Sequence, residues 1–263
     1  MKNKGFTLIE MSVVLIIIAV LISGGFMGMS LLRSAELREV IGDYDRYIKA
    51  IKEFEDKYQA LPGDMGTAET IWGSDAGCPT TTTNAIPKIA TCNGDSNGRI
   101  GASSTAGVLD TNAAYEWFRA WQQLADAGLI EGQFTGVKES ATNGDAGIGL
   151  NVPKSKLKIE SGWTLFYFLQ TATDTTIWGD NYGHVFAFGG NTTSVTNGVA
   201  LSATNAFGID QKIDDGKPGR GIIRARRTAA EANCTASDTT QDAATYSSIN
   251  TDSSCSLLFI LGF

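Results

Sequence analysis

Between residues 93 and 100 the chain reads Asn-Gly-Asp-Ser-Asn-Gly-Arg-Ile. Asn93, Asp95 and Asn97 carry oxygen side chains at alternate positions, and Gly98 permits the sharp turn that lets such oxygens converge on one hard cation. Calcium is the ion this donor set suits. The twelfth position of a loop with that spacing is Ser104 rather than a bidentate Glu, so the site is either incomplete or finished by Asp110 or a distant residue. A plain Asn/Gly turn is the alternative reading. Asp210, Asp214 and Asp215, just before Gly216-Lys217-Pro218-Gly219, form a second calcium candidate. There the alternative is helix capping and turn formation by Asp ahead of Gly and Pro. Calcium is the only cofactor suggested.

Little points to catalysis. His184 is the sole histidine, so a Ser-His-Asp or Cys-His system would have to use it. Its setting, Asn181-Tyr182-Gly183-His184-Val185-Phe186, reads as the start of a strand. No H-E-x-x-H or phosphate-cradling glycine loop occurs, and an enzyme is not expected. The four cysteines, Cys78, Cys92, Cys234 and Cys255, form no C-x-x-C, which argues against a zinc site. In an exported chain they suggest two disulfides, with local pairing the simplest of three connectivities. The balance of 21 Lys+Arg against 28 Asp+Glu, a net charge of −7, argues against a nucleic-acid partner.

The residues that could act at the N-terminus need a membrane to make sense. From residue 11 to residue 32 there is no Asp, Glu, Lys or Arg, and Glu10 alone interrupts the apolar run that starts at Phe6. Some 26 helical residues span roughly 39 Å, enough to cross a hydrocarbon core of about 30 Å with tilt. Lys2 and Lys4 place positive charge before the run, which predicts a cytoplasmic N-terminus and an outward-facing remainder. The run is too long for a cleaved secretory signal and passes straight into a charged amphipathic segment. A lone carboxylate in such a helix is costly and needs a partner. A cut between Gly5 and Phe6 would create one, a new ammonium group that Glu10 of a neighbouring copy can meet.

Lys4-Gly5-Phe6-Thr7-Leu8-Ile9-Glu10 resembles the class III signal of type IV prepilins and type II secretion pseudopilins. The resemblance implies cleavage after Gly5 by a prepilin peptidase, N-methylation of Phe6, and use of Glu10 in assembly. It covers residues 1–58 at most. It further implies a helical polymer of the chain with itself or in a mixed filament, built by an inner-membrane platform and an assembly ATPase. The precursor would sit in the bacterial inner membrane with its head in the periplasm. The assembled form would be a cell-surface pilus or a periplasm-spanning pseudopilus. The alternative role is a minor or tip pilin whose large head binds a surface, DNA or a secreted substrate.

These features divide the chain into a leader at 1–5, a transmembrane and polymerisation helix at 6–32, an amphipathic continuation at 33–60 and a globular head at 61–263. Ile41, Tyr44, Ile48, Ile51 and Tyr58 recur at helical spacing with Tyr47 and Phe54 nearby, while Glu39, Asp43, Arg46, Lys49, Lys52 and Glu53 occupy other faces. Leu61-Pro62-Gly63-Asp64 ends that helix. Gly24, Gly25 and Gly28 mark a weak point or a site of close helix packing. Residues 63–111, rich in Gly, Thr, Ser, Asn and Asp, read as an irregular excursion. A helix is expected at 112–127 and strands at 163–169, 185–188, 221–226 and 256–261. The expected fold is α+β and type IV pilin-like, a long helix packed on an antiparallel sheet with disulfide-tied loops.

Overall fold

A computed structural model describes residues 7–76, 78, 87–101, 114–138, 146–168, 176–192, 195–227, 231, 233–237, 240–248 and 253–263, with backbone alone at 24–30 and 114–115. Helix α1 (Leu8–Tyr58) runs unbroken for 51 residues. Gln59 stops it in the left-handed conformation at φ 52°, and its N–H returns to the Glu55 carbonyl, as helix C-termini commonly close.

The buried stripe of α1 is Val40, Tyr44, Tyr47, Ile51 and Phe54, at spacings of four and three. This is rotated from the stripe expected from sequence, since Ile41, Ile48 and Tyr58 only flank the core. Asp43, expected on a solvent face, is buried and paired with the half-exposed Arg46. Upstream, residues 7–23 are exposed. Among the described residues no helix is long and apolar enough to cross a membrane.

The rest of the chain is an α+β head. After the short α2 (Ala68–Trp72) and α3 (Ala114–Asp126) come β1 (Gly162–Phe168), β2 (Gly183–Gly189), α4 (Ala203–Ile213), β3 (Ile223–Ala225), β4 (Thr235–Ser237), β5 (Thr245–Tyr246) and β6 (Leu257–Ile260). The main sheet is antiparallel in the order β1-β2-β6-β3, so the last strand lies inside the sheet; β4 and β5 pair separately. Trp163 stands opposite Phe188, and Phe186 opposite Phe259. Aromatic rings fuse helix to sheet: Tyr44 lies 5.0 Å from Phe259, and Tyr47 lies 4.9 Å from Trp121 and 5.8 Å from Trp163.

The expected strand at 221–226 is shorter than the sequence suggests because Asp214 accepts the amides of Ile222 and Ile223. Residues 112, 113 and 169, at the ends of an expected helix and strand, lie outside the described residues. Helix α4 was not expected. Ser202 caps it by accepting from Asn205 N–H, and Ala203, Ala206, Ile209 and Asp210 are its buried face. It packs on α1, where Arg33 donates to Asn205 Oδ1 and Ser202 Oγ, both at 2.8 Å. The cysteines pair as Cys78–Cys92 and Cys234–Cys255.

Candidate functional site

The first candidate is the start of α1. Thr7 is the N-cap: its hydroxyl accepts from Glu10 N–H at 3.2 Å, while the Glu10 carboxylate accepts from Thr7 N–H at 2.8 Å and from the Thr7 hydroxyl at 2.9 Å. This reciprocal arrangement satisfies amides that a helix start leaves unpaired. Sequence reasoning missed it, although Thr7-Leu8-Ile9-Glu10 has the S/T-x-x-E spacing that signals it. Glu10 therefore has a partner inside its own subunit. Gly5 and Phe6 lie outside the described residues.

The second candidate forms where the turn after α1 meets the Asn93–Ile100 segment. Gly63 stands at φ +86°, and its N–H donates to Gln123 Oε1 at 2.7 Å. The loop crosses this turn so closely that a Cβ on Gly94 would collide with the Gly63 carbonyl oxygen and the Asp64 backbone. Gly94 N–H donates to the Met65 carbonyl and Ser96 N–H to that of Asp64. The Asp64 carboxylate then accepts from Asn97 and Gly98 N–H, each at 2.9 Å, and the Glu116 carboxylate from α3 accepts from Asp95 at 3.1 Å and Gly101 at 2.6 Å. Two buried carboxylates thus hold four loop amides.

This geometry brings some of the expected calcium ligands together and separates others. Asn97 donates to Asp95 Oδ2 at 2.8 Å. Asn93 turns away, its Oδ1 accepting from Glu69 N–H at 2.9 Å. Asp95 gathers instead with Asp64 and Glu116, one oxygen of each lying within 4.8 Å of the others. Neither Asp64 nor Glu116 was singled out from sequence, because one ends a turn and the other sits on a distant helix. Ser104 and Asp110 lie outside the described residues.

Asp210, Asp214 and Asp215 also converge within 4.8 Å. Asp210 accepts from Gly216 N–H at 3.1 Å and from the Tyr246 hydroxyl at 2.8 Å, and Asp215 accepts from Lys217 N–H at 2.9 Å. Both clusters offer oxygen alone, a donor set that suits calcium rather than zinc. In both, the carboxylates already cap backbone.

Burial pushes the Glu116 and Asp210 carboxyls up to about 7, and Asp64 upward too, against the opposing pull of the amides they accept. Such groups bind protons more tightly folded than unfolded. Their stabilisation is complete below the ordinary carboxylate range near pH 4 and is lost as pH rises through about 7. Thermal melts are therefore expected to show a midpoint that falls by several degrees from about pH 5 to about pH 8. A flat profile would contradict this assignment. A cation in either cluster would replace the protons and flatten the slope, so the same melts in calcium and in chelator read occupancy.

His184 is occupied structurally. Its Nε2 accepts from Ile100 N–H at 3.2 Å, which leaves the proton on Nδ1 to donate to the Phe263 carbonyl at 2.7 Å. Burial holds its pKa down. Both ring nitrogens tie the loop and the last residue to β2.

Residues 1–26 match a family model described as the prokaryotic N-terminal methylation motif, the class III signal of type IV prepilins and pseudopilins. No curated protein and no solved structure matches the chain.

Proposed function

We propose that this chain is a filament subunit, cleaved after Gly5, methylated on Phe6 and polymerised through α1 into a type IV pilus or a type II secretion pseudopilus. The observation that carries this reading is the methylation motif at residues 1–26, which from Leu8 onward is the first part of the 51-residue helix whose later turns back the head. The precursor waits in the inner membrane, with residues 6–32 in the bilayer and the head in the periplasm. A prepilin peptidase removes the leader, and an assembly platform driven by a cytoplasmic ATPase extracts the subunit. In the filament the helices bury against one another the apolar side chains that the lone chain leaves exposed, among them Leu8, Leu15, Leu21, Leu31 and Leu32. Relative to water, burying each such side chain contributes about 1.5–3 kcal/mol, which holds the extracted subunits in the filament. The contacts are heterologous and open, so the polymer grows as a helix rather than closing. The head, facing outward, needs no catalytic site for this role.

Intact mass and N-terminal sequencing of the protein from membranes test the reading. The expected product starts at Phe6 and carries the mass of one methyl group. A chain still starting at Met1 in cells with an active prepilin peptidase would overturn it and leave a membrane-anchored head.

A further inference from the structure

Glu231 is a buried carboxylate that neither the assembly reading nor the two acidic clusters uses. It lies beside the C-terminal disulfide and touches the backbone leading to each of its cysteines. Its main-chain carbonyl accepts from Cys234 N–H at 3.2 Å. Its carboxylate accepts from the N–H of Ser256, next to Cys255, at 2.7 Å, and from the Ser256 hydroxyl. One carboxylate oxygen lies within 4.8 Å of both sulfurs. The charged group facing it is Arg226, 3.9 Å away at the end of β3. Glu231, Cys234 and Cys255 are all buried, so water is a poor proton acceptor there.

We propose that Glu231 is the pairing residue of the Cys234–Cys255 disulfide: it holds the two cysteines in register and takes the thiol proton as the bond closes. The thiolate, not the thiol, is the nucleophile in disulfide exchange. The oxidant is a disulfide, of low molecular weight or on an oxidoreductase, which first forms a mixed disulfide with one of the two cysteines. The other cysteine passes its proton to Glu231, and its sulfur attacks the mixed disulfide. The Cys234–Cys255 bond forms as the bond to the oxidant breaks. The departing thiolate takes the proton back from Glu231. In sum two protein thiols are oxidised, the oxidant disulfide is reduced to two thiols, and the carboxylate returns to its starting state. Burial holds the Glu231 carboxyl up at about 7, where a proton acceptor is well matched to neutral pH.

The test uses the full chain, reduced in denaturant and then diluted into detergent with a glutathione redox buffer, because both cysteines are buried once the head is folded. Closure of Cys234–Cys255 is followed by alkylation and peptide mass spectrometry, which separates it from Cys78–Cys92. Glu231→Gln keeps a hydrogen-bonding side chain but cannot take a proton. It is expected to close roughly 10-fold or more slowly than wild type near pH 7, general-base assistance being worth at least that. The gap should vanish above about pH 9, where thiols ionise unaided. Ser256→Ala, which loosens the clamp and keeps the base, is expected to slow closure while keeping the inflection, moved to higher pH because the Ser256 hydroxyl no longer holds the Glu231 carboxyl down. A Glu231→Gln rate equal to wild type overturns the proposal, and slowing that is the same at all pH values overturns the proton role. If Glu231→Gln fails to fold, the wild-type profile decides: the absence of an inflection below the thiol range overturns the proposal.

Discussion

A Glu10→Ala chain is expected to be processed like wild type and to leave cells without filaments. Two roles for this carboxylate have to be separated. Within the subunit it completes the capping box with Thr7, an interaction worth about 0.5–2 kcal/mol. A glutamine serves that role equally well. In the proposed filament the carboxylate meets the Phe6 amine of a neighbour, and only a charge can do so. An uncompensated carboxylate among apolar helices costs about 2.5–3.5 kcal/mol, which penalises every stagger but the one that pairs it. Glu10→Gln should therefore keep the cap and lose filaments, while Thr7→Ala loses the cap and keeps them. Sheared-filament yield and electron microscopy read both. Filaments at wild-type yield from Glu10→Gln would assign the residue to capping alone.

Trp163→Ala is expected to give the largest loss of head stability, about 3–5 kcal/mol. The side chain is fully buried, and its ring lies 4.5 Å from Phe188, 5.2 Å from Phe259 and 5.8 Å from Tyr47. It touches β2, β6 and α1 together, so truncation opens a cavity where helix and sheet meet. Close-packed interiors collapse poorly into such holes. Trp163→Phe, which keeps a ring, should recover most of the loss. Denaturant unfolding measures it, and a loss below about 1 kcal/mol would show that the junction repacks. A loosened junction would leave the spine carrying a mobile head, so filament yield should fall with stability.

The N-terminus was legible because its signals are local. A basic start, Gly5-Phe6, an apolar run and a proline-glycine stop after Leu61 are all read within a few residues. The expected helix at 112–127 and the strands around 163, 185 and 256 were legible for the same reason: each is an apolar or aromatic run with its own boundaries. Helix α4 was not, since Ala-Thr-Asn-Ala-Phe-Gly-Ile-Asp has weak helical propensity and a mixed pattern. Its place is set by Ser202 and by packing on α1. The buried stripe of α1 was legible in part: Tyr44 and Ile51 lie in it with Tyr47 and Phe54, while Ile41 and Ile48, which satisfy the same period, only flank the core.

By itself the sequence determined the signal, the long helix and the existence of a disulfide-bearing α+β head. Tertiary structure alone decided which carboxylates stand together. Asp64 and Glu116 join Asp95, and Asn93 leaves it, because a turn after α1, a loop and α3 meet there from positions far apart in the chain. It likewise decided that His184 bonds Phe263 and that Glu231 lies beside the bond between two cysteines 21 residues apart. Periodicity and capping depend on neighbours within a turn or two. Burial and shared hydrogen bonds depend on which distant segments the core brings together, and no local spacing encodes that.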